Sequence, residues 1–284
     1  MKNAVACILV AVMMVACSKG DPSEPEAKVM PTAMLERLSF ELYSTVETRT
    51  GYGYHVFYEQ DLDGSLFDIW ASGNAGAALV SSKRQPEKFP TYWSTDGYEG
   101  GCVCLNTQSA GTLGGLVGKP IAAGSLYIGS FNVDKALSDA LKTTEFGVPV
   151  DRQPLRVTGW YKYTPGEKFT DKNKNVIADR IDEAYIQSVF WRNTNDNGQP
   201  VTLYGDNLAK SPYIVSRAET SDLPPAEEWT RFELTFEGDE ADAELLAQFG
   251  YSFTIVFSSS KDGDLFEGAI GSTLYIDEVE IEFK

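Results

Sequence analysis

A single histidine, His55, stands among 284 residues, and that shortage removes much chemistry at once. An H-E-x-x-H zinc helix, a His-rich metal site and any mechanism needing two histidines are excluded. No G-x-S-x-G elbow occurs, and Gly118-Lys119-Pro120 puts proline where a phosphate loop needs Ser or Thr for magnesium. His55 lies in the aromatic run 51–58 and reads as a packed or surface residue rather than a base. What the chain holds in quantity is carboxylate (41 Asp and Glu) and aromatic ring (15 Phe, 14 Tyr, 5 Trp). Two carboxylates suffice to cleave a glycosidic bond. Rings can stack on pyranose faces while polar neighbours bond the hydroxyls.

Three tryptophans have the surroundings for stacking. Trp93 sits in the polar stretch 91–96, Trp160 lies opposite the apolar face of its strand beside Lys162, and Trp191 ends a strand just before Arg192-Asn193-Thr194-Asn195-Asp196. Trp70 and Trp229 are assigned to core or edge packing. The loop 260–264 adds Lys261, Asp262 and Asp264 as partners for sugar hydroxyls, directly after the strongest strand signal. Its other reading is a tight turn. A two-carboxylate mechanism would draw on Asp262 or Asp264 with Glu167 or Asp182. For metals, Asp171, Asn173, Asn175, Asp179 and Asp182 are spaced like calcium-loop ligands, but Val176 replaces the turn-forming glycine and the last position is Asp, not Glu. This segment reads as a polar hairpin, with calcium the ion it would suit. By strict alternation Asp277 shares a strand face with Tyr275, Val279, Ile281 and Phe283. A carboxylate there must be satisfied by loop N–H groups or bound to metal.

The elements that position these residues are mostly strands. Period-two alternation marks 249–257, 231–236 and 155–163, with further strands at 66–70, 77–81, 101–107, 126–133, 184–191 and 273–283. Asp63-Gly64, Asp96-Gly97, Asn197-Gly198 and Asp262-Gly263 supply turns between them. Only 134–142 and 239–248 have helical spacing, each behind aspartates. Many strands without βαβ alternation predict an all-β chain: a β-sandwich jelly roll with two short connecting helices.

The first residues carry an address. Lys2 precedes the apolar run 4–16, too short to span a bilayer but right for a signal sequence, and the run ends Met14-Val15-Ala16-Cys17. That ending is similar to a bacterial lipobox, which implies a signal peptide over 1–16, acylation of Cys17, and a proline-bearing tether over 17–39 before a domain at 40–284. Ser18, where many inner-membrane lipoproteins have aspartate, favours lipid anchoring in the outer membrane, on its surface or periplasmic face. Cys102 and Cys104 are then left as two buried free thiols, because residues two apart on a strand lie too far apart for an easy bridge. The net charge of −17, with no basic run, argues against nucleic acid.

The segment 258–283 (SSSKDGDLFEGAIGSTLYIDEVEIEF), with 70–76, 118–124, 146–149 and 159–166, resembles the "putative carbohydrate metabolism domain" lipoproteins of Gram-negative gut anaerobes. The resemblance runs from about Phe40 to Lys284 and implies a β-jelly-roll shaped like carbohydrate-binding modules, with no catalytic residues to carry over. Three functions stand: a non-catalytic, lipid-anchored glycan binder, a two-carboxylate glycoside hydrolase, and a structural or adhesion lipoprotein that contacts protein in the envelope.

Overall fold

A computed structural model describes residues 30–48, 51, 53–80, 85–111, 119–135, 142–220 and 222–284. Cys17, the signal sequence and most of the tether lie outside these residues. So does most of the expected helix 134–142, of which the 3₁₀ turn Val133–Lys135 is described.

Ten strands carry the architecture: β1 (Thr91–Ser94), β2 (Cys102–Asn106), β3 (Ser125–Phe131), β4 (Thr144–Phe146), β5 (Pro154–Thr164), β6 (Tyr185–Arg192), β7 (Ile214–Glu219), β8 (Ala226–Thr235), β9 (Tyr251–Ser258) and β10 (Thr273–Phe283). One sheet runs β8-β5-β10-β2-β1, with the short strand Arg37–Leu38 also paired to β10. The second contains β4-β3-β9-β6-β7 in that order, with further short strands at its margins. Every registered pair is antiparallel, and sequence-distant strands lie side by side. This is a jelly-roll β-sandwich.

The alternation in the sequence does the packing. Val157, Tyr161 and Tyr163 of β5, Leu274 and Ile276 of β10, and Val103 and Leu105 of β2 face Ile128, Ile186, Phe190, Phe253, Ile255 and Phe257 of the other sheet in one continuous core. Each such side chain contributes roughly 1.5–3 kcal/mol by leaving water.

Two local expectations change. Residues 77–80 of the expected strand 77–81 belong to the helix Asn74–Val80, and residue 81 lies outside the described residues. A run of Ala and Leu this short has no period of its own, and Asn74 decides the matter by bonding the Thr91 backbone twice, through Nδ2 to O (2.6 Å) and through Oδ1 from N (3.2 Å). The helix expected over 239–248 contracts to Ala243–Ala247, capped by Asp242, whose carboxylate accepts the Leu245 N–H at 2.8 Å.

Candidate functional site

The three tryptophans do not share a surface. Trp93 is paired with Val103, which is paired with Ile276, which is paired with Tyr161, so its side chain lies on the core side of the first sheet. Its ring is stacked by Tyr43 at 4.5 Å, its Nε1 is buried without a partner among the described residues, and its backbone N–H donates to His55 Nδ1 at 2.9 Å. His55 is buried, and burial holds its pKa down, so the imidazole is a neutral acceptor. Trp191 is 1% exposed in a small second core with Val189, Leu203 and Leu208, and its Nε1 donates to Val201 O at 3.3 Å. Its expected role as a stacking face is corrected: a ring with no exposed surface cannot meet a ligand.

Trp160 stands on the outer face of the first sheet, cross-strand from Arg231 and Asp277. Tyr98, from the loop after β1, stacks on it at 4.1 Å and 9°. Tyr98 is itself 47% exposed, and Trp229 meets it edge-on at 6.3 Å. Lys162, one side-chain step along β5, lies 4.9 Å from the rings of both Trp229 and Tyr275 and bonds Asp96 at 2.5 Å. Arg37, Tyr98, Glu99, Trp160, Glu278 and Glu280 help to line a cleft of about 240 Å³ here. Arg37 holds Glu278 through Nη2 at 2.7 Å and Nε at 3.1 Å.

Asp277 underlies this arrangement, on a different face from the one strict alternation assigns it. Between Thr158↔Glu280 and Trp160↔Asp277 β10 advances three residues while β5 advances two, and Glu278 takes φ +44°. This bulge reverses the phase of the strand, so Asp277 points outward with Tyr275 while Val279 and Ile281 point into the core. The carboxylate is fully buried; its Oδ2 accepts the N–H groups of Tyr98 (2.7 Å) and Glu99 (3.0 Å), and its Oδ1 that of Glu278 (2.9 Å). Burial pushes its pKa up to about 6 against the pull of those hydrogen bonds. Among the described residues no three His, Cys, Asp or Glu side chains gather as metal ligands. Asp171 Oδ1 accepts the backbone N–H groups of Asn173 and Asn175, both at 2.8 Å, and its Oδ2 accepts from Asn175 Nδ2 at 2.9 Å, all inside its own turn.

The loop with Lys261, Asp262 and Asp264 lies elsewhere, beyond the Thr164–Thr273 end of the sheet, about 13 Å along β5 from Trp160. Asp262 is paired with Arg180, and Lys261 Nζ bonds Glu183 at 3.3 Å. Burial raises the pKa of Asp264. Asp182, a candidate acid of the two-carboxylate reading, is 2% exposed, and its Oδ2 accepts from Ser260 Oγ (2.6 Å), Ala269 N (2.7 Å) and Ser272 Oγ (2.7 Å). That carboxylate knots the loop together and is closed to substrate. Glu167 is exposed on a separate turn. Cys102 and Cys104 are free and buried, and burial pushes the Cys104 thiol up to about 11.

Sequence reasoning thus reaches Trp160 and Asp277 but misses Tyr98, Arg37, Glu99 and Glu278, and assigns Trp229 to packing. The Asp-Gly-Tyr-Glu-Gly-Gly stretch at 96–101 was legible only as a turn; its aromatic and acidic residues inside a glycine loop were the available signal.

The model of the "putative carbohydrate metabolism domain" matches residues 39–282. The chain belongs to this family. Among solved structures, a "putative glycoside hydrolase" from Bacteroides vulgatus ATCC 8482 is 40% identical, with a TM-score of 0.81, covering 91% of this chain and 100% of that one. Another "putative glycoside hydrolase", from Bacteroides thetaiotaomicron VPI-5482, is 38% identical, with a TM-score of 0.80, covering 88% of this chain and 71% of that one. No curated protein matches the chain.

Proposed function

We propose that this member of the carbohydrate metabolism domain family is a lipid-anchored, non-catalytic module of the outer membrane that binds an uncharged glycan on the outer face of its first sheet. The observation that carries the reading is the Tyr98–Trp160 stack, which presents the flat ring of an exposed tyrosine over a polar cleft. Pre-stacking holds the ring in place before a sugar arrives, so little side-chain entropy remains to be lost on binding. The preference for neutral sugar follows from charge. Arg37 is shared between Glu278 (2.7 Å) and Glu99 (3.7 Å), Arg231 is committed to Glu233 and Lys162 to Asp96, while Glu280 adds further negative charge at the cleft. A uronate or sulfate therefore meets repulsion and no unpaired cation among these three, whereas hydroxyls find carboxylate acceptors and guanidinium donors.

The test is a glycan array that includes neutral, uronic and sulfated oligosaccharides, with reducing-sugar release measured on every hit. Neutral hits, no release of reducing ends, and loss of binding in Tyr98→Ala with an unchanged melting temperature are expected. Hits confined to anionic glycans would overturn the ligand class. Release of reducing ends would overturn the non-catalytic reading and direct attention to Glu99, Glu278 and Glu280. Full binding by Tyr98→Ala would overturn the site.

A further inference from the structure

We propose that Asp277 is a positioning residue: it latches the 95–101 loop into a gap in the first sheet and so stacks Tyr98 on Trp160. The part about ligand binding rests on the function proposed above; the latch itself does not.

The gap is visible in the register of β10. Over Thr273–Ile276 its neighbour on one side is β2, and over Val279–Glu280 that neighbour is the short strand Arg37–Leu38. Asp277 and Glu278, between these spans, have no strand partner on that side. The bulge at Glu278 turns the Asp277 carboxylate outward at this break, and the loop donates the N–H groups of Tyr98 and Glu99 to that side chain. Two successive N–H groups converging on one carboxylate oxygen fix the peptide plane between them, and with it the direction in which the Tyr98 side chain leaves the loop. That direction is onto Trp160, the residue directly across from Asp277 on β5. Strand partner, latch and ring are therefore a single constellation.

Secondary contacts fit a loop seated closely by design. Gly101 donates its N–H to Glu41 Oε1 at 2.8 Å, and Asp96 bonds Lys162. Gly100 has φ +74°, and a Cβ there would run into the Glu41 carboxylate; a Cβ at Gly101 would run into the Trp93 ring. The contacts at Glu41 and Asp96 involve exposed or flexible groups, whereas Asp277 is fully buried and pre-oriented by its own strand.

The experiment measures amide hydrogen exchange in the full chain, comparing wild type with Asp277→Ala, Asp277→Asn and Glu99→Pro. The β9 amides report in each case that the sandwich is intact. The latch predicts at least tenfold faster exchange of Tyr98 and Glu99 amides in Asp277→Ala, with β9 unchanged. Asp277→Asn, whose amide oxygen can still accept both N–H groups, restores most of the protection, which a general loss of packing would not allow. Should Asp277→Ala fail to fold, Glu99→Pro removes one donor from the loop without touching the strand, and the Tyr98 amide must then lose protection. Unchanged exchange at Tyr98 in Asp277→Ala, or in Glu99→Pro should Asp277→Ala not fold, would overturn the latch. Where wild type binds a glycan, Asp277→Ala is expected to lose as much affinity as Tyr98→Ala; undiminished binding with a loosened loop would overturn the positioning role. A wild type that binds no glycan would overturn the functional reading while exchange still decides the latch.

Discussion

Trp160 and Trp191 read alike in the sequence, each a tryptophan next to polar residues in a strand, and their surroundings give them opposite roles. Trp191 fills a small core, where Gly147, at φ +89°, passes so near the indole that a Cβ would collide with it. Trp191→Ala should therefore cost about 3–5 kcal/mol in chemical unfolding, whereas Tyr98→Ala at the exposed stack should cost under about 1 kcal/mol. Equal losses for the two would contradict this assignment. Titration gives a second prediction at this scale. Glu59 is pushed up to about 7 by burial, although the Trp70 indole N–H, 2.8 Å from Oε1, favours its charged form. The folded state then holds a proton that the unfolded chain releases at lower pH, so this group's contribution to stability is fully present below about pH 4.5 and is lost as pH rises through about 7. Asp277, raised to about 6, acts in the same direction over the lower part of that window. Glu59→Gln keeps an acceptor for Trp70 and removes the charge. Melting temperatures measured from about pH 5 to about pH 8 should fall less steeply in the variant, above all between about 5 and 6.5. An unchanged slope would remove Glu59 as the source.

β9 keeps its alternation along its length, and the connections decide what the strands present. The 258–272 loop is tied by Asp182 to Ser260, Ala269 and Ser272, and further by Thr107 Oγ1 to Ser259 Oγ (2.7 Å) and Ser260 Oγ (2.6 Å). These groups are buried, so removing the shared acceptor leaves donors with no water to turn to. Asp182→Ala should lower the urea midpoint by the equivalent of at least about 2 kcal/mol without altering the slope of the transition. A variant as stable as wild type would show that the knot is not needed. The bulge in β10 has the same character: one extra residue changes which side chains face water over the rest of the strand.

At the scale of the whole molecule, the proposed lipid anchor is at Cys17 and the proposed glycan site is on the sandwich. Cys17→Ser should leave the precursor unprocessed or release the protein from the outer-membrane fraction. Unchanged processing and fractionation would remove the lipid anchor from the proposal. The sandwich itself holds no described helix long and apolar enough to cross a membrane.

Sequence alone determined the β-sandwich, because a period of two in side-chain polarity is a local property that packing of two sheets must obey: β5, β9 and the part of β10 after Glu278 lie where alternation places them. It also determined that Trp160 would leave the core, since its neighbours Val157, Tyr161 and Tyr163 claim the inner face. Only the tertiary structure decided that Trp93 and Trp191 are packed, that Asp277 faces outward, and that Tyr98 covers Trp160. The facing of Asp277 and the seating of Tyr98 depend on partners far away in the chain, as the 179-residue separation between Tyr98 and Asp277 shows. No window of sequence contains both members of such a pair, and a bulge that reverses a strand's facing leaves the same residue types in the same order.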